Sequence, residues 1–141
     1  MTGPDMIAHL AAKSSPAVFA EWIADRASAV MIAETTVGAA PVGYAVVTIP
    51  DLPVELAPGD LELRRIYVLA PFHRSGVGAA LMSGALDSAQ AMSATRMLLG
   101  VHGGNTRAQR FYERSGFAVI GTRQFQVGAV VHDDLIYARA L

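Results

Sequence analysis

The 141-residue sequence contains no cysteine, so neither a disulfide framework nor a thiolate metal site is available to it. Charged residues make up only 16% and the net charge is −1, whereas a general nucleic-acid binder normally carries a strong basic excess. No apolar run approaches the roughly 18 residues of a membrane span. The N-terminus has an early acid and lacks the charged-then-apolar layout of a signal peptide. We therefore expect a cytoplasmic protein.

The apolar fraction of 52% indicates a globular protein with one hydrophobic core. We predict a single domain over residues 1–141, in which residues 1–14 are weakly patterned and flexible. No repeat or low-complexity tract divides the chain.

Hydrophobic periodicity and turn residues predict alternating helices and strands. A first helix is expected after the N-cap Ser15 and Pro16. Its predicted buried side chains are Phe19, Trp22, Ile23 and Ala27. Further elements are predicted as strands over 30–36, 42–50, 61–69, 96–101, 117–122 and 132–141, helices over 77–92 and 105–115, a loop over 50–60, and a turn region that ends at residue 129. This order predicts an α/β fold with a mixed sheet.

A glycine-containing loop, His73–Gly78, lies between a predicted strand and a predicted helix. Two glycines one residue apart let backbone N–H groups approach an anion, and the helix dipole favours negative charge there. The loop therefore suits a pyrophosphate, although such glycine pairs are often plain turns. It is not a Walker A loop, because no Gly-Lys-Ser/Thr follows, and it lacks the third glycine of the dinucleotide fingerprint.

A second motif begins about 30 residues downstream, and the two together resemble the GNAT superfamily of N-acetyltransferases. The family loop Gln/Arg-x-x-Gly-x-Gly/Ala is represented by His73–Gly78, with histidine at its first position. The family pattern Asn-x-x-Ala-x-x-Phe-Tyr followed by Gly-Phe is represented here by Asn105, Ala108, Phe111, Tyr112, Gly116 and Phe117. The likeness spans roughly residues 30–141, and the N-terminal region is shorter than is usual, so the first family strand is either missing or supplied by another subunit.

This resemblance implies a GNAT fold, a mostly antiparallel mixed sheet flanked by helices, and acetyl-CoA as co-substrate in a splay between the strands ending at Val68 and near Val101. The pantetheine arm would pair with strand main chain, and the N–H of Val68 would stabilise the oxyanion of a tetrahedral intermediate. The implied acetyl-CoA-binding residues are Ile66, Tyr67, Val68, His73, Arg74, Ser75, Gly76, Val77, Gly78, Ala79, Asn105, Ala108 and Tyr112.

Two residues are predicted to be catalytic. Glu62, whose spacing before Gly76 matches the general-base glutamate of some family members, would accept the proton of the acceptor amine, directly or through water. The alternative is a solvated carboxylate paired with Arg64. Tyr112 occupies the family position of the general acid, and the alternative is a purely structural tyrosine.

The predicted function is transfer of an acetyl group to a primary amine of a small molecule or protein, with a homodimer left open. The tail and the sequence LELRRIYV resemble a branch that includes polyamine acetyltransferases. A non-catalytic acyl-CoA-binding regulatory module is the alternative, and a nucleotide-phosphate binder is disfavoured by the missing lysine. Asp133 and Asp134 are expected at the surface. His9, His102 and His132 have no metal-site spacing, so we expect no metal.

Overall fold

The computed structural model describes residues 16–141. Its helices are α1 (Pro16–Ala24), α2 (Val77–Ala91) and α3 (Thr106–Arg114), with a 3-10 turn at Ala70–Phe72. Its strands are β1 (Ala29–Glu34), β2 (Pro41–Thr48), β3 (Asp60–Val68), β4 (Arg96–His102), β5 (Ala118–Val127) and β6 (Val130–Ala140). The predictions for residues 1–14, for Ser15 as an N-cap and for a missing first strand lie outside the described residues.

The strands form one six-stranded sheet in the order β1-β2-β3-β4-β6-β5. Of the strand pairs in the described range, β3–β4 is parallel and the other four are antiparallel. The predicted mixed, mostly antiparallel sheet is confirmed.

The sheet separates two apolar layers. One face, here called the inner face, packs against α2 and α3 through a core that includes Ala45, Leu63, Leu99 and Tyr137. The opposite, outer face carries two smaller clusters, one around Tyr44 and Leu69 and one formed by Leu52, Leu98 and Ile136. Strand alternation assigns every second residue to each face. No helix between residues 16 and 141 is long and apolar enough to cross a membrane.

The predicted first helix is right at its start and wrong at its end. It stops at Ala24, because the Asp25 side chain accepts hydrogen bonds from the Ala27 N–H (2.9 Å) and the Ser28 hydroxyl (2.9 Å) and closes a turn. Ala27 therefore lies beyond the helix. Ile23 was predicted to be buried, but it is 69% exposed. Phe19 and Trp22 form the packed side of α1 instead, against the Tyr44 cluster.

The predicted turn region through residue 129 contains the turn but is too long. Strand β5 runs to Val127, and only Gly128 and Ala129 connect it to β6. Gly128 has φ +60°, which glycine adopts without a steric penalty, so a two-residue hairpin turn suffices. The segment Arg123–Gln126, in which three of four residues are polar, is held in strand conformation by its pairing with β6, which local sequence preference does not reveal.

Candidate active site

A gap opens in the sheet between β3 and β4. The two strands pair only from Asp60–Glu62 to Arg96–Leu98. Beyond that point β3 continues to Val68 and β4 to His102 with no ladder between them. A splay at this place is what the resemblance implies.

The register of β2 and β3 decides which main-chain groups face the gap. The Leu69 N–H donates to the Val42 carbonyl at 2.9 Å. Opposed residues in an antiparallel pair alternate between hydrogen-bonded and non-hydrogen-bonded positions, so Tyr67, two residues back, also bonds to β2. The main-chain groups of Ile66 and Val68 consequently point away from β2 and into the gap. Of the three predicted main-chain contacts, those two are directed towards the gap and that of Tyr67 is not.

The start of α2 presents free amides beside this gap. Gly76 precedes the helix with φ +91°, and no side chain caps it. The first intrahelical bond runs from the Ala80 N–H to the Gly76 carbonyl (3.0 Å), so the N–H groups of Val77, Gly78 and Ala79 have no acceptor within the helix. Unpaired amides and the positive end of a helix dipole favour a negative charge at this position.

Two of the predicted loop side chains are bonded to nearby main-chain carbonyls. The His73 Nε2 lies 2.8 Å from the Val68 carbonyl oxygen, so this nitrogen donates to that carbonyl. The Ser75 hydroxyl donates to the Phe72 carbonyl. Arg74 is exposed and has φ +64°. Backbone amides, rather than His73 or Ser75 side chains, are thus the available donors.

Gly78 brings the two sequence motifs together. A Cβ atom on Gly78 would lie 3.5 Å from Phe111 Cε1 and 3.9 Å from Val68 Cγ2. The end of β3, the start of α2 and the helix α3 therefore meet at one glycine. Asn105 caps α3 by accepting the Ala108 N–H at 3.1 Å, and Gly116 ends it with φ +90°, as predicted.

Tyr112 is half-buried on the inner side of α3. Its ring packs against Phe111, Phe117 and Tyr137, with centroids 5.6, 6.2 and 6.3 Å away. Burial raises the pKa of Tyr112 to about 12, because the surroundings disfavour the phenolate. The phenol therefore stays protonated at neutral pH and is available as a donor.

Glu62 lies at the base of the gap, on the outer face. It is only 6% exposed, so it is not a solvated carboxylate. Its Oε1 accepts the Asp51 N–H at 2.8 Å, and its Oε2 lies 3.5 Å from Arg64 Nε. The pairing with Arg64 that the sequence offered as an alternative is present, in a buried setting.

Two features of this region were missed from the sequence. Asp134, expected at the surface, is buried and bonded through Oδ2 to Arg123 Nη2 at 2.8 Å. His102 and His132, 30 positions apart in the chain, have ring nitrogens 3.4 Å apart. Only the register of β4, β5 and β6 brings these residues together. In the part of the chain that the structure describes, no three potential metal ligands cluster.

Comparison with known proteins agrees with this geometry. The family model described as "Acetyltransferase (GNAT) family" matches residues 4–117. The chain belongs to the GNAT acetyltransferase family. A curated relative, an uncharacterized N-acetyltransferase of Mycobacterium tuberculosis, is 38% identical over 139 residues, covering 98% of this chain and 84% of that protein.

Solved structures share the GNAT fold. The ribosomal-protein-alanine N-acetyltransferase of Brucella melitensis superposes with a TM-score of 0.75 at 23% identity, covering 100% of this chain and 97% of that one. A GNAT family acetyltransferase from Elizabethkingia anophelis with acetyl-CoA bound gives a TM-score of 0.68 at 16% identity, covering 94% and 87%. At these identities the likeness establishes the fold, and the acceptor must be argued from this chain's own residues.

Proposed function

We propose that this GNAT protein transfers an acetyl group from acetyl-CoA to a primary amine by direct attack. The observation that carries the proposal is the β3–β4 gap, into which the N–H groups of Ile66 and Val68 point beside the uncapped start of α2. A diphosphate at the amides of α2 and an extended arm along β3 fit this arrangement. Membership of the GNAT family and a related fold solved with acetyl-CoA bound support the choice of co-substrate.

The acceptor amine must lose a proton before it attacks. A lysine-like amine has a reference pKa near 10.4, so its neutral form at pH 7 costs about 4.6 kcal/mol. Glu62, at the base of the gap, is our proposed proton acceptor, directly or through water. The amine nitrogen then forms a bond to the thioester carbonyl carbon and releases a second proton to water. The carbonyl oxygen is stabilised by the Val68 N–H, and the carbon–sulfur bond breaks as the carbonyl forms again.

Tyr112 is our proposed donor to the departing sulfur. With a pKa of about 12 it is a weaker acid than a thiol, whose reference value is about 8.5. Complete transfer of the proton from this phenol to the thiolate would be uphill by roughly 5 kcal/mol. Tyr112 therefore acts as a hydrogen-bond donor to the sulfur, and the thiolate takes its proton from solvent.

The test is release of free thiol from acetyl-CoA with a panel of primary amines that includes spermidine, because the tail resembles the polyamine branch. The variant Val68→Pro removes the one N–H proposed to bind the oxyanion, and this N–H is not part of the β2–β3 ladder. We expect kcat to fall about 100-fold or more. The matched variant Leu69→Pro removes the N–H that bonds to Val42, so it should reduce stability instead.

Wild-type turnover by a folded Val68→Pro variant would contradict the oxyanion assignment. A wild-type protein that binds acetyl-CoA yet releases no thiol with any amine in the panel would contradict catalysis and favour a binding module.

A further inference from the structure

Beside Glu62, the outer face of the sheet carries polar groups that the proposed reaction does not use. Glu62 is paired in register with Leu98, and Gly100 lies two residues further along β4, so all three share this face. The Gly100 position lies about 7 Å from Leu98 along the strand. Because Glu62 marks the end of the β3–β4 ladder, Gly100 lies beside the gap itself.

The Arg123 guanidinium lies over Gly100, on the side where another residue would carry its side chain. A Cβ atom on Gly100 would lie 3.5 Å from Arg123 Nη2 and 3.5 Å from Leu52 Cδ2. The same nitrogen is anchored by Asp134, with Nη2 2.8 Å from Oδ2, while 38% of the Arg123 side chain remains exposed. The ion pair uses one of five N–H donors, so a fork of donors remains for a ligand.

The charge of the outer face favours an anion over a polycation. The three buried carboxylates on this face each have a cationic neighbour, which is Arg96 for Asp60, Arg64 for Glu62 and Arg123 for Asp134. Arg65, opposite Val46 on the same face, is a further cation and is exposed. Within residues 16–141, a polyamine bound to the outer face would therefore contact guanidinium groups rather than unpaired buried carboxylates.

We infer that the acceptor of this enzyme is an amine that also carries a carboxylate, with the carboxylate bound by Arg123 and the amine directed to Glu62. This inference rests on the proposed acetyl transfer. A guanidinium and a carboxylate pair in a planar, bidentate geometry. Gly100 lies two residues along β4 from Leu98, the partner of Glu62, and this separation suits the carboxylate and the amine of one small molecule. In this assignment Arg123 sets acceptor specificity and takes no part in proton transfer.

The experiment compares acetylation of matched amines by the full chain. L-Phenylalanine and L-alanine carry the carboxylate, and phenethylamine and ethylamine lack it. In L-phenylalanine amide an uncharged carboxamide replaces the carboxylate. We expect kcat/KM to be about tenfold or more higher with the carboxylate present. Arg123→Gln should bring that ratio close to one and change phenethylamine turnover less than threefold. Because the same amines are used with wild type and with Arg123→Gln, differences in amine basicity cancel when the two kcat/KM ratios are compared.

Two further variants keep the test decisive. Arg123→Gln leaves the buried Asp134 carboxylate unpaired, so the double variant Arg123→Gln/Asp134→Asn repeats the measurement without that charge. Arg26→Gln, which removes an exposed charge just beyond α1, should keep the wild-type ratio. A wild-type ratio near one, a ratio that Arg123→Gln leaves unchanged, or preferred acetylation of spermidine would overturn the inference while leaving acetyl transfer intact. No thiol from any amine would count against acetyl transfer itself.

Discussion

Replacing Tyr112 by phenylalanine tests whether the phenol lies in the desolvated position that its proposed role requires. The pKa is raised from 10.0 to about 12 by burial, so the folded state holds the proton more tightly than the unfolded chain. The stability that comes from the neutral phenol is complete below pH 10 and is lost as the pH rises through 12. The full contribution of the raised pKa to the free energy of unfolding is about 3 kcal/mol.

The part of this loss that falls in a practical range can be worked out. Between pH 9 and pH 11 the wild-type protein should lose on the order of 1 kcal/mol of unfolding free energy that Tyr112→Phe keeps. Urea denaturation of both proteins at the two pH values measures this difference. The other tyrosines contribute equally to both proteins, so their effect on the pH dependence cancels. The wild-type-minus-variant absorbance of tyrosinate should titrate with a midpoint of about 12. A midpoint near 10, or parallel pH dependence of the two proteins, would refute the burial argument.

Two further substitutions test the geometry around the gap. Gly78→Asp places a carboxylate in the first turn of α2, where the helix dipole favours negative charge, so the free energy of unfolding should hold or rise by about 0.3–1 kcal/mol. Acetyl-CoA binding, measured by calorimetry, should weaken at least tenfold relative to Gly78→Ala. Equal affinities of the two variants would exclude the α2 amides as the diphosphate site. Gly43→Ala puts a Cβ 2.8 Å from the Tyr67 carbonyl oxygen and 2.9 Å from Leu81 Cδ1. Urea denaturation should therefore show a loss of about 1–3 kcal/mol in the free energy of unfolding. An unchanged denaturation midpoint would contradict this close approach.

The elements with strong local signals could be predicted from the sequence. Helix α2 has apolar residues at helical spacing, and α3 has an asparagine cap and a closing glycine, so both helices were placed to within a residue or two. The hairpin of β5 and β6 was only partly predicted, because Arg123 and its polar neighbours resemble a turn region when read alone. Their strand conformation depends on partners supplied by β6.

The candidate site divides in the same way. The loop His73–Gly78 and the pattern around Tyr112 are contiguous motifs, so the sequence alone could indicate them. The direction of the Val68 N–H, the burial of Glu62 and the Arg123–Asp134 pair depend on register between strands distant in the chain. Periodicity assigns a residue to a face, but it does not identify the neighbour across the ladder.

Three glycines lie where these distant parts of the chain meet around the gap. Gly43 allows the Tyr67 carbonyl and Leu81 of α2 to approach β2 more closely than a Cβ would permit. The Gly78 and Gly100 positions lie at ordinary contact distance from Phe111 of α3 and from the Arg123 guanidinium. The first two contacts bring α2 and α3 against the inner face, whereas the third lies on the outer face. A donor entering from the helix side and an acceptor entering from the opposite side would therefore meet where β3 and β4 part, with Glu62 on the acceptor's side of the sheet. That division predicts that substitutions at Gly78 alter acetyl-CoA affinity and those at Arg123 alter acceptor choice, with little exchange between the two effects.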